Sequence, residues 1–428
     1  MKEKYLTNAR IIDPKNDLDE IGGLIIDSKG LIKAVGKKVT NGNLPSSVDK
    51  IDLKKQVLIP GIVDMRVFVG EPGYEYKENF RTLSNAALSG GVTSVVSMPN
   101  TSPVIDNVSM VDFLKRRGRD KSKINIFPSA TLTRNAEGKQ MTEFGLLKRK
   151  GIIAFTDGIR TIQDPEVMSR IMSFASQSDS LVMQHAEDNV LSKNGLINEG
   201  EISTRLGLKG IPFLAEKIIV ERDLSFLEEY FCRYHISQIS SEKTVSTIKK
   251  AKNEGKIFTT GVSINNLSLN ENDIGDFKTF LKLSPPLRTE RDRISLVESI
   301  NDGTIDVIVS DHKPQDEESK RLTFAQAATG ASGVETLLPL ALELFHNKSV
   351  KLKKLISSIT SNPAKILGIN KGSLDKGSDA DLCVFDINKP WIVNKSKLKS
   401  KSKNTPIENR KLQGQVLKTF IKGDLAYE

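Results

Sequence analysis

Short hydrophobic runs alternate with amphipathic segments through most of the 428-residue chain. Eight of these runs end in polar residues, and they read GIVDMRV, VTSVVSMPN, INIFPSA, GIIAFTDG, LVMQHAED, YHISQIS, IFTTGVS and IDVIVSDHKP. Helix patterns such as YKENFRTLSNAALSGG, DPEVMSRIMSFASQS, SEKTVSTIKKAKNEG and ERDRISLVESINDG lie between them. Eight successive strand–helix units predict an α/β fold, a (β/α)8 TIM barrel. The alternative, a doubly wound open sheet, usually has a glycine-rich phosphate turn after its first strand, and no G-x-G-x-x-G occurs there.

Both ends of the chain have a different sequence pattern, with short strand-like runs and turns and few helix patterns. The N-terminal part contains YLTNARIID and GGLIIDSKGLIKAVG, and the C-terminal part contains DLCVFDIN, PWIVN and GQVLKTFIKGDLAYE. We expect the two ends to pair into one small β-sandwich domain. The predicted limits are 1–55 and 359–428 for the sandwich and 56–358 for the barrel.

Composition narrows the class of protein. The chain is 38% hydrophobic and 27% charged, which is ordinary for a soluble globular protein. No apolar run approaches the ~20 residues that cross a bilayer, and the start of the chain lacks a secretion signal, so we expect a cytoplasmic protein without membrane contact. Cys232 and Cys383 lie in strand-like runs and are predicted to be buried small hydrophobes.

The net charge of +10 raises the question of a nucleic-acid partner. The clearest basic cluster, NKSKLKSKSKN from Asn394 to Asn404, has no interleaved aromatic residues for base stacking. We therefore predict a solvated surface loop and no nucleic-acid binding.

Barrel enzymes carry their chemistry at the carboxyl ends of the strands. The polar residues at those positions are Asp64, Arg66, Asn100, Asp157, His185, His235 or Gln238, and Asp311 with His312. His235 and Gln238 are three residues apart, so on a strand of period 2 they face opposite sides, and His235 is predicted to point away from the barrel interior. His346 ends a helical pattern, where we expect a cap or surface role.

Ten stretches, in order along nearly the whole chain, carry a resemblance to a known family. They are IPGIVDM, EPGYEYKE, GGVTSVVSMPNTSPVIDN, IAFTDG, QHAED, FKTFLKLSPPLRTERDR, DGTIDVIVSDHKPQ, GVETLLPL, SNPAKILGI and GSLDKGSDADLCVFD. They resemble the dihydroorotase branch of the amidohydrolase superfamily. The resemblance implies one or two zinc ions that activate water, and the interconversion of N-carbamoyl-L-aspartate and dihydroorotate in pyrimidine synthesis.

The metal ligands that the resemblance implies are only partly present. Asp157, His185 and Asp311 occupy ligand positions, and Asp311 would also be the catalytic proton carrier in an active enzyme. The family's first-strand His-x-His pair falls on Arg66 and Phe68. The sixth-strand histidine falls on Gln238. A permanent cation at Arg66 would repel Zn²⁺, and we expect it to pair with Asp311 or Asp157.

The implied substrate contacts are reduced as well. The arginine that grips the substrate carboxylate falls on Gly70, the histidine after the last strand falls on Gln315, and the asparagine before PPLR falls on Ser284. Asn100, in MPN, matches the family and is predicted to bind substrate. Loss of an arginine clamp typically removes a few kcal/mol of charge-assisted binding.

The same residues also allow structural roles. Asp157 and Asp311 can join neighbouring strand ends, and His185 can be held by Asp311 or Glu187. His312 is expected to make a structural hydrogen bond, and Asn100 can cap a turn.

Three functional hypotheses follow. The first is a non-catalytic homologue, resembling the alphaproteobacterial dihydroorotase-like form that lacks the metal histidines and assembles with aspartate transcarbamoylase. It would need no cofactor and would form a homo-oligomer or a hetero-complex. The second is an active dihydroorotase with a reduced, single-zinc site at Asp157, His185 and Asp311. The third is a metal-free hydrolase or binding protein for another small anion, with Arg66 and Lys313 as anion contacts.

Overall fold

The computed structural model describes residues 2–39 and 49–428. The N-terminal strands are β1 (Lys4–Asp13), β2 (Leu18–Ile26), β3 (Ile32–Gly36), β4 (Asp49–Asp52) and β5 (Val57–Pro60). The C-terminal strands are β16 (Leu382–Ile392), β17 (Lys411–Ile421) and β18 (Asp424–Tyr427). They form one sheet in the order β18-β17-β16-β5-β1-β2-β3, with β4 paired to β1. The two ends of the chain therefore meet where β5 lies between β1 and β16, as the sequence predicted.

Strands and helices alternate between these ends. The first half contains β6 (Ile62–Val67), α1 (Phe80–Ser89), β7 (Val92–Ser97), α2 (Val108–Lys121), β8 (Asn125–Ala130), α3 (Phe144–Arg149), β9 (Ala154–Phe155), α4 (Pro165–Ser178) and β10 (Leu181–Gln184). The second half contains β11 (Ile197–Asn198), α5 (Glu201–Leu206), β12 (Gly210–Ile211), α6 (Leu214–Phe226), β13 (Arg233–Ile236), α7 (Glu242–Asn253), β14 (Thr259–Ser263), α8 (Ile264–Ser268), α9 (Glu290–Asp302), β15 (Val307–Val309), α10 (Glu317–Lys320), α11 (Leu337–His346), α12 (Leu352–Ile359) and α13 (Ser361–Leu367).

Eight strands form a barrel. Their order is β6-β7-β8-β9-β10-β13-β14-β15, and every pairing is parallel. The ends of the sheet meet at an isolated bridge between Val67 and His312, where the Phe68 amide donates to the His312 carbonyl at 2.8 Å. The predicted TIM barrel with a terminal β-domain is thus confirmed. The predicted domain limits remain a prediction.

Two apolar layers hold the barrel. Val63, Met65, Met183 and Val309 pack inside it, and Leu367 of α13 joins them at the amino ends of the strands. A larger buried cluster fills the space between the strands and the surrounding helices. The interior is therefore largely a packed apolar core, and the carboxyl ends of the strands carry the polar side chains described below.

Local signals place the helices. Asp164 accepts hydrogen bonds from the Glu166 and Val167 amides, and Pro165 occupies the first helical position of α4. Thr289 and Asp292 form a capping box at the start of α9, and Gly303 ends that helix in the left-handed conformation. These caps agree with the predicted helix patterns. Among the described residues, no helix combines the length and apolar character needed to cross a bilayer.

The structure also shows where the two cysteines and His346 lie. Cys232 and Cys383 are both buried, as expected. His346 ends α11 and lies with its Nε2 3.0 Å from the Ile387 carbonyl, so it ties the helix to β16.

Candidate active site at the barrel mouth

The carboxyl ends of β6, β9, β10 and β15 bring four of the predicted site residues to one mouth of the barrel. Arg66, Asp157, His185 and Asp311 are each 9% exposed or less. Burial strengthens every charge interaction among them because little water screens it. The site is therefore governed by how these charges are paired.

Arg66 and Asp311 form the central ion pair. Arg66 Nε lies 3.2 Å from Asp311 Oδ1, and Nη1 and Nη2 each lie 3.4 Å from the Gly158 carbonyl. Closure of the barrel between Val67 and His312 brings the two residues together, and Asp311 adopts a φ of +50° at that turn. Burial raises the pKa of the Asp311 carboxyl, opposed by Arg66 and Lys313. Of the two partners expected for Arg66, the structure selects Asp311.

The carboxylate of Asp157 is bonded by Thr133 and not by Arg66. Its carboxylate accepts from the Thr133 amide at 3.0 Å and from the Thr133 hydroxyl at 2.5 Å. Burial nevertheless raises the pKa of Asp157 to about 6, because these hydrogen bonds offset only part of the desolvation. In this structure Asp157 joins the ends of neighbouring strands, one of the two roles the sequence allowed.

His185 is a neutral imidazole. Its Nε2 lies 3.4 Å from the Ser284 hydroxyl, and Nδ1 is buried without a hydrogen-bond partner among the described residues. Burial, together with the charges of Arg66 and Lys313, lowers its pKa to about 3. Neither Asp311 nor Glu187 holds the ring, so that expectation was wrong.

The prediction that His235 points away from the barrel was also wrong. His235 pairs with the inward-facing Met183, lines the same interior space as Met65, and contacts Thr259 Oγ1 through Nδ1 at 2.8 Å. Strand β13 ends at Ile236, so a period of 2 does not extend to Gln238. Gln238 is fully buried and helps to lower the pKa of Asp311, although neither amide atom makes a hydrogen bond of normal geometry with a described residue.

The turn after β6 leaves no room for a side chain at Gly70. Its φ is +81°, the Tyr74 amide donates to its carbonyl at 2.7 Å, and an added Cβ would lie 2.2 Å from the Glu78 carbonyl oxygen. Phe68 is 6% exposed, and its ring centroid lies 6.0 Å from that of Tyr74. The loop is therefore built around glycine and packed aromatic rings.

Asn100 lies beside the Arg66–Asp311 pair. A Cβ added at Gly158, which accepts from Arg66, would lie 3.1 Å from Asn100 Oδ1. That oxygen is buried and lacks a hydrogen-bond partner among the described residues. The predicted role of Asn100 in substrate binding stays a prediction.

The residues that follow Asp311 have separate tasks. His312 Nδ1 accepts from the Gly333 amide at 3.2 Å, which confirms the expected structural hydrogen bond, and Nε2 lies 3.4 Å from Glu78. Gln315 donates to the Thr329 carbonyl at 2.9 Å. Gln315 therefore fixes a loop, and His312 fixes the barrel closure.

The basic segment 394–404 only partly matches the predicted surface loop. Its lysines point outward or are half-buried, but Ser400, Ser402 and Asn404 are buried. Ser400 donates to Glu78, Ser402 donates to the Lys77 carbonyl at 2.7 Å, and Asn404 accepts from the Gln315 amide at 3.0 Å. The alternation Ser-Lys-Ser-Lys-Asn was the available signal, because a period of 2 gives an extended segment one inward face.

Comparison with known proteins identifies the family. A "Dihydro-orotase-like" family model matches residues 55–244. A protein named Dihydroorotase from Ehrlichia canis (strain Jake) is 40% identical over 422 residues, 98% of this chain and 94% of its own length. This chain belongs to the dihydroorotase-like family. Another Dihydroorotase, from Syntrophus aciditrophicus (strain SB), is 41% identical over 423 residues and 99% of both chains.

Solved structures support the fold of this dihydroorotase-like protein. The L-hydantoinase (dihydropyrimidinase) from Arthrobacter aurescens has a TM-score of 0.89 at 23% identity, covering 100% of this chain and 96% of its own. A dihydropyrimidinase from Brevibacillus agri NCHU1002 has a TM-score of 0.85 at 19% identity, with 100% and 95% coverage. At these identities the likeness concerns the fold alone.

The family resemblance implies zinc, so the donor set of this dihydroorotase-like protein can be tested against it. Within 2–39 and 49–428, no group of three or more His, Cys, Asp or Glu side chains is arranged to hold a metal ion. Asp157, His185 and Asp311 therefore do not form the three-ligand set that the sequence allowed. A guanidinium pairs with Asp311, and Thr133 donates one hydrogen bond to each carboxylate oxygen of Asp157. As arranged, these side chains do not fit a zinc ion.

Proposed function

We propose that this dihydroorotase-like protein is non-catalytic and acts in pyrimidine synthesis as a structural partner of aspartate transcarbamoylase. The family assignment supports the place in pyrimidine synthesis. One observation is the main support for the proposed loss of catalysis: the buried guanidinium of Arg66 pairs with Asp311 at the mouth of the barrel.

The charge balance supports this proposal. A zinc ion beside Asp311 would have to approach a permanent cation and displace it from its carboxylate. Displacing Arg66 would leave a buried guanidinium without its counter-charge, which costs several kcal/mol. A lone neutral His185 does not compensate for that cost.

The substrate side gives independent support. A clamping arginine at position 70 would need a Cβ 2.2 Å from a carbonyl oxygen on a backbone with φ of +81°. The loop would have to be rebuilt before such a side chain could enter. Gln315 is bonded to the Thr329 carbonyl and faces a loop. Of the family's implied substrate contacts, Asn100 alone matches.

The partner is inferred from the resemblance to alphaproteobacterial dihydroorotase-like proteins. The chain still specifies the whole barrel and both halves of the terminal sheet. In a non-catalytic protein, this is consistent with selection that acts on the folded shape. Its interactions with another subunit would preserve that shape after the reaction chemistry had been lost.

Zinc content and turnover test the loss of catalysis. We expect the purified wild-type chain to contain much less than one zinc per chain and to show no turnover of N-carbamoyl-L-aspartate or dihydroorotate with added Zn²⁺. The matched control is Arg66→His/Phe68→His/Gln238→His, which restores the missing imidazoles and should raise the zinc content. Robust turnover by the wild type, or stoichiometric zinc in it, would refute the proposal.

Co-expression with aspartate transcarbamoylase from the same genome tests the partner. We expect the two chains to elute together in size-exclusion chromatography and the transcarbamoylase to be more heat-stable in the complex. Elution as separate species with unchanged stability would contradict the structural role.

The alternative is an active dihydroorotase with a reduced, single-metal site. It is favoured by relatives named Dihydroorotase at about 40% identity over almost the whole chain. It would require Arg66 to swing away so that Asp311, Asp157 and His185 converge on one ion. The same zinc and turnover measurements separate the two functions.

A further inference from the structure

A cavity of about 880 Å³ opens at the amino ends of the barrel strands, on the face opposite the mouth. Leu181, Tyr234 and Phe258 line it where β10, β13 and β14 begin, and each of them is 7% exposed or less. TIM-barrel enzymes carry their chemistry at the other face, so the reaction that the family resemblance implies does not account for this cavity.

Two large apolar side chains project from the rim of the cavity. Phe231 lies in the turn between α6 and β13, Ile257 lies between α7 and β14, and each is 84% exposed although it borders the cavity. Single exposed apolar residues are common on protein surfaces, but here both stand beside an apolar cavity. An apolar side chain that fills a desolvated pocket is typical of the centre of a protein–protein interface. A small molecule inside the cavity would leave Phe231 and Ile257 in water, so the geometry favours a second protein surface.

The charges around the cavity are mostly paired. Lys256 contacts Glu228 at 2.6 Å, and Lys252 contacts Asp306 at 2.8 Å. These pairs surround the apolar centre with a polar rim, which is the usual composition of an interface between folded proteins.

Two exposed charges at this face have no ion-pair partner anywhere in 2–39 or 49–428. Lys365 of α13 lines the cavity, and Glu229 lies two residues before Phe231. The face therefore carries an apolar anchor with an acid beside it and an apolar cavity with a cation beside it, so it is complementary to itself. A two-fold dimer requires such a surface, because each of its contacts occurs twice. A second copy of this chain is thus the occupant that the charges favour.

We infer that the amino-end face of the barrel is the interface of a two-fold homodimer. Phe231 of each copy enters the cavity of the other, Ile257 is covered at the rim, and Glu229 pairs with Lys365 of the opposite copy. The inference goes beyond the proposed function, because it holds whether or not the chain is catalytic and does not involve aspartate transcarbamoylase.

Sedimentation equilibrium of the purified full-length chain tests the dimer. We expect the wild type to have twice the monomer mass of 47.3 kDa. Phe231→Glu places a charge in the cavity of the other copy and should raise the dimer dissociation constant about 100-fold or more. Because Phe231 is exposed in the monomer, circular dichroism should show an unchanged fold. The matched control is Val190→Glu, which changes an apolar residue of 80% exposure after β10 and should leave the dissociation constant unchanged.

Charge reversal tests the pairing between copies. Lys365→Glu places two glutamates opposite each other at each contact, and Glu229→Lys places two lysines there, so either variant alone should raise the dissociation constant about tenfold. An equimolar mixture of the two variants brings a glutamate against a lysine at both contacts and should restore the wild-type dissociation constant. An effect within one chain would not be rescued by mixing, so this rescue is specific to a contact between copies.

The other outcomes overturn the inference. A wild type that stays monomeric at about 100 μM has no such interface. A dimer that Val190→Glu dissociates and Phe231→Glu leaves intact has its interface elsewhere. If a monomeric wild type binds aspartate transcarbamoylase and Phe231→Glu abolishes that binding, the face belongs to that enzyme and not to a second copy. Zinc content and turnover are measured separately, so failure of the dimer leaves the proposed function standing.

Discussion

Replacement of Arg66 by methionine should destabilise the barrel through Asp311. The pair is buried, with side-chain exposures of 6% and 11%, and the Nε–Oδ1 distance is 3.2 Å. Removing one partner of a buried ion pair typically costs about 3–5 kcal/mol, because the other charge is left without compensation. Lys313 remains nearby, so we expect the lower end of that range, about 3 kcal/mol at pH 7.5.

Urea unfolding with two probes measures this loss. Far-ultraviolet circular dichroism reports mainly on the barrel helices, and the single tryptophan, Trp391, reports on β16 of the terminal sheet. The matched control is Arg170→Met, which breaks an exposed pair with Glu166 and should cost less than about 1 kcal/mol. We expect the dichroism midpoint to shift more than the fluorescence midpoint.

The pH dependence gives a sharper test. Burial raises the pKa of Asp311, and Arg66 opposes the rise, so its removal moves the folded-state pKa further above the unfolded value. The carboxyl then destabilises the fold wherever it is ionised, and the penalty shrinks as falling pH protonates it. Arg66→Met/Asp311→Asn should recover much of the stability at pH 7.5. This reasoning would be refuted if Arg66→Met alone were as stable as Arg170→Met, or if Arg66→Met lost the same free energy of unfolding at pH 5 and at pH 7.5.

Two further changes test the surroundings of the site. Gly70→Ala should cost about 2 kcal/mol or more in urea unfolding, because its Cβ meets the Glu78 carbonyl oxygen on a left-handed backbone. The matched control is Gly255→Ala, because Gly255 also has a positive φ, +86°, but no atom lies within 4 Å of the added Cβ. An equal loss of stability in both variants would show that the close contact at Gly70 is not the cause. Thr133→Val removes the hydroxyl donor to Asp157 and should cost about 1–3 kcal/mol above pH 6, where that carboxyl is ionised, and less at pH 5. Thr142→Val removes a bond to the Thr131 carbonyl, so its cost should not vary with pH, and a matching profile for both variants would contradict the assignment.

The fold was predictable because its signals are local and repeated. Each strand run ends in polar residues, helices such as α4 bury one apolar face, and caps such as Asp164 mark where helices begin. A break in the pattern was harder to detect from sequence. Strand β13 ends at Ile236, so the period of 2 that was used to place His235 does not extend to Gln238, and no local residue pattern marked that end.

The residues that form the site were predictable from the sequence, but their hydrogen-bond and ion-pair partners were less so. Family positions pointed to Arg66, Asp157, His185 and Asp311, and the structure places each of them at the mouth. Which donor serves which carboxylate depends on residues far apart in sequence, so it could not be determined from strand patterns. Thr133 bonds Asp157, a pairing that no motif had suggested.

Residue types and their order along the chain were enough to indicate the barrel, the terminal sheet and the replacement of imidazoles by Arg66, Phe68 and Gln238. Barrel closure between Val67 and His312 decided that the guanidinium of Arg66 meets Asp311. The physical reason is range: hydrophobic periodicity acts over one strand or helix, whereas charge pairing acts between side chains brought together only when the barrel closes.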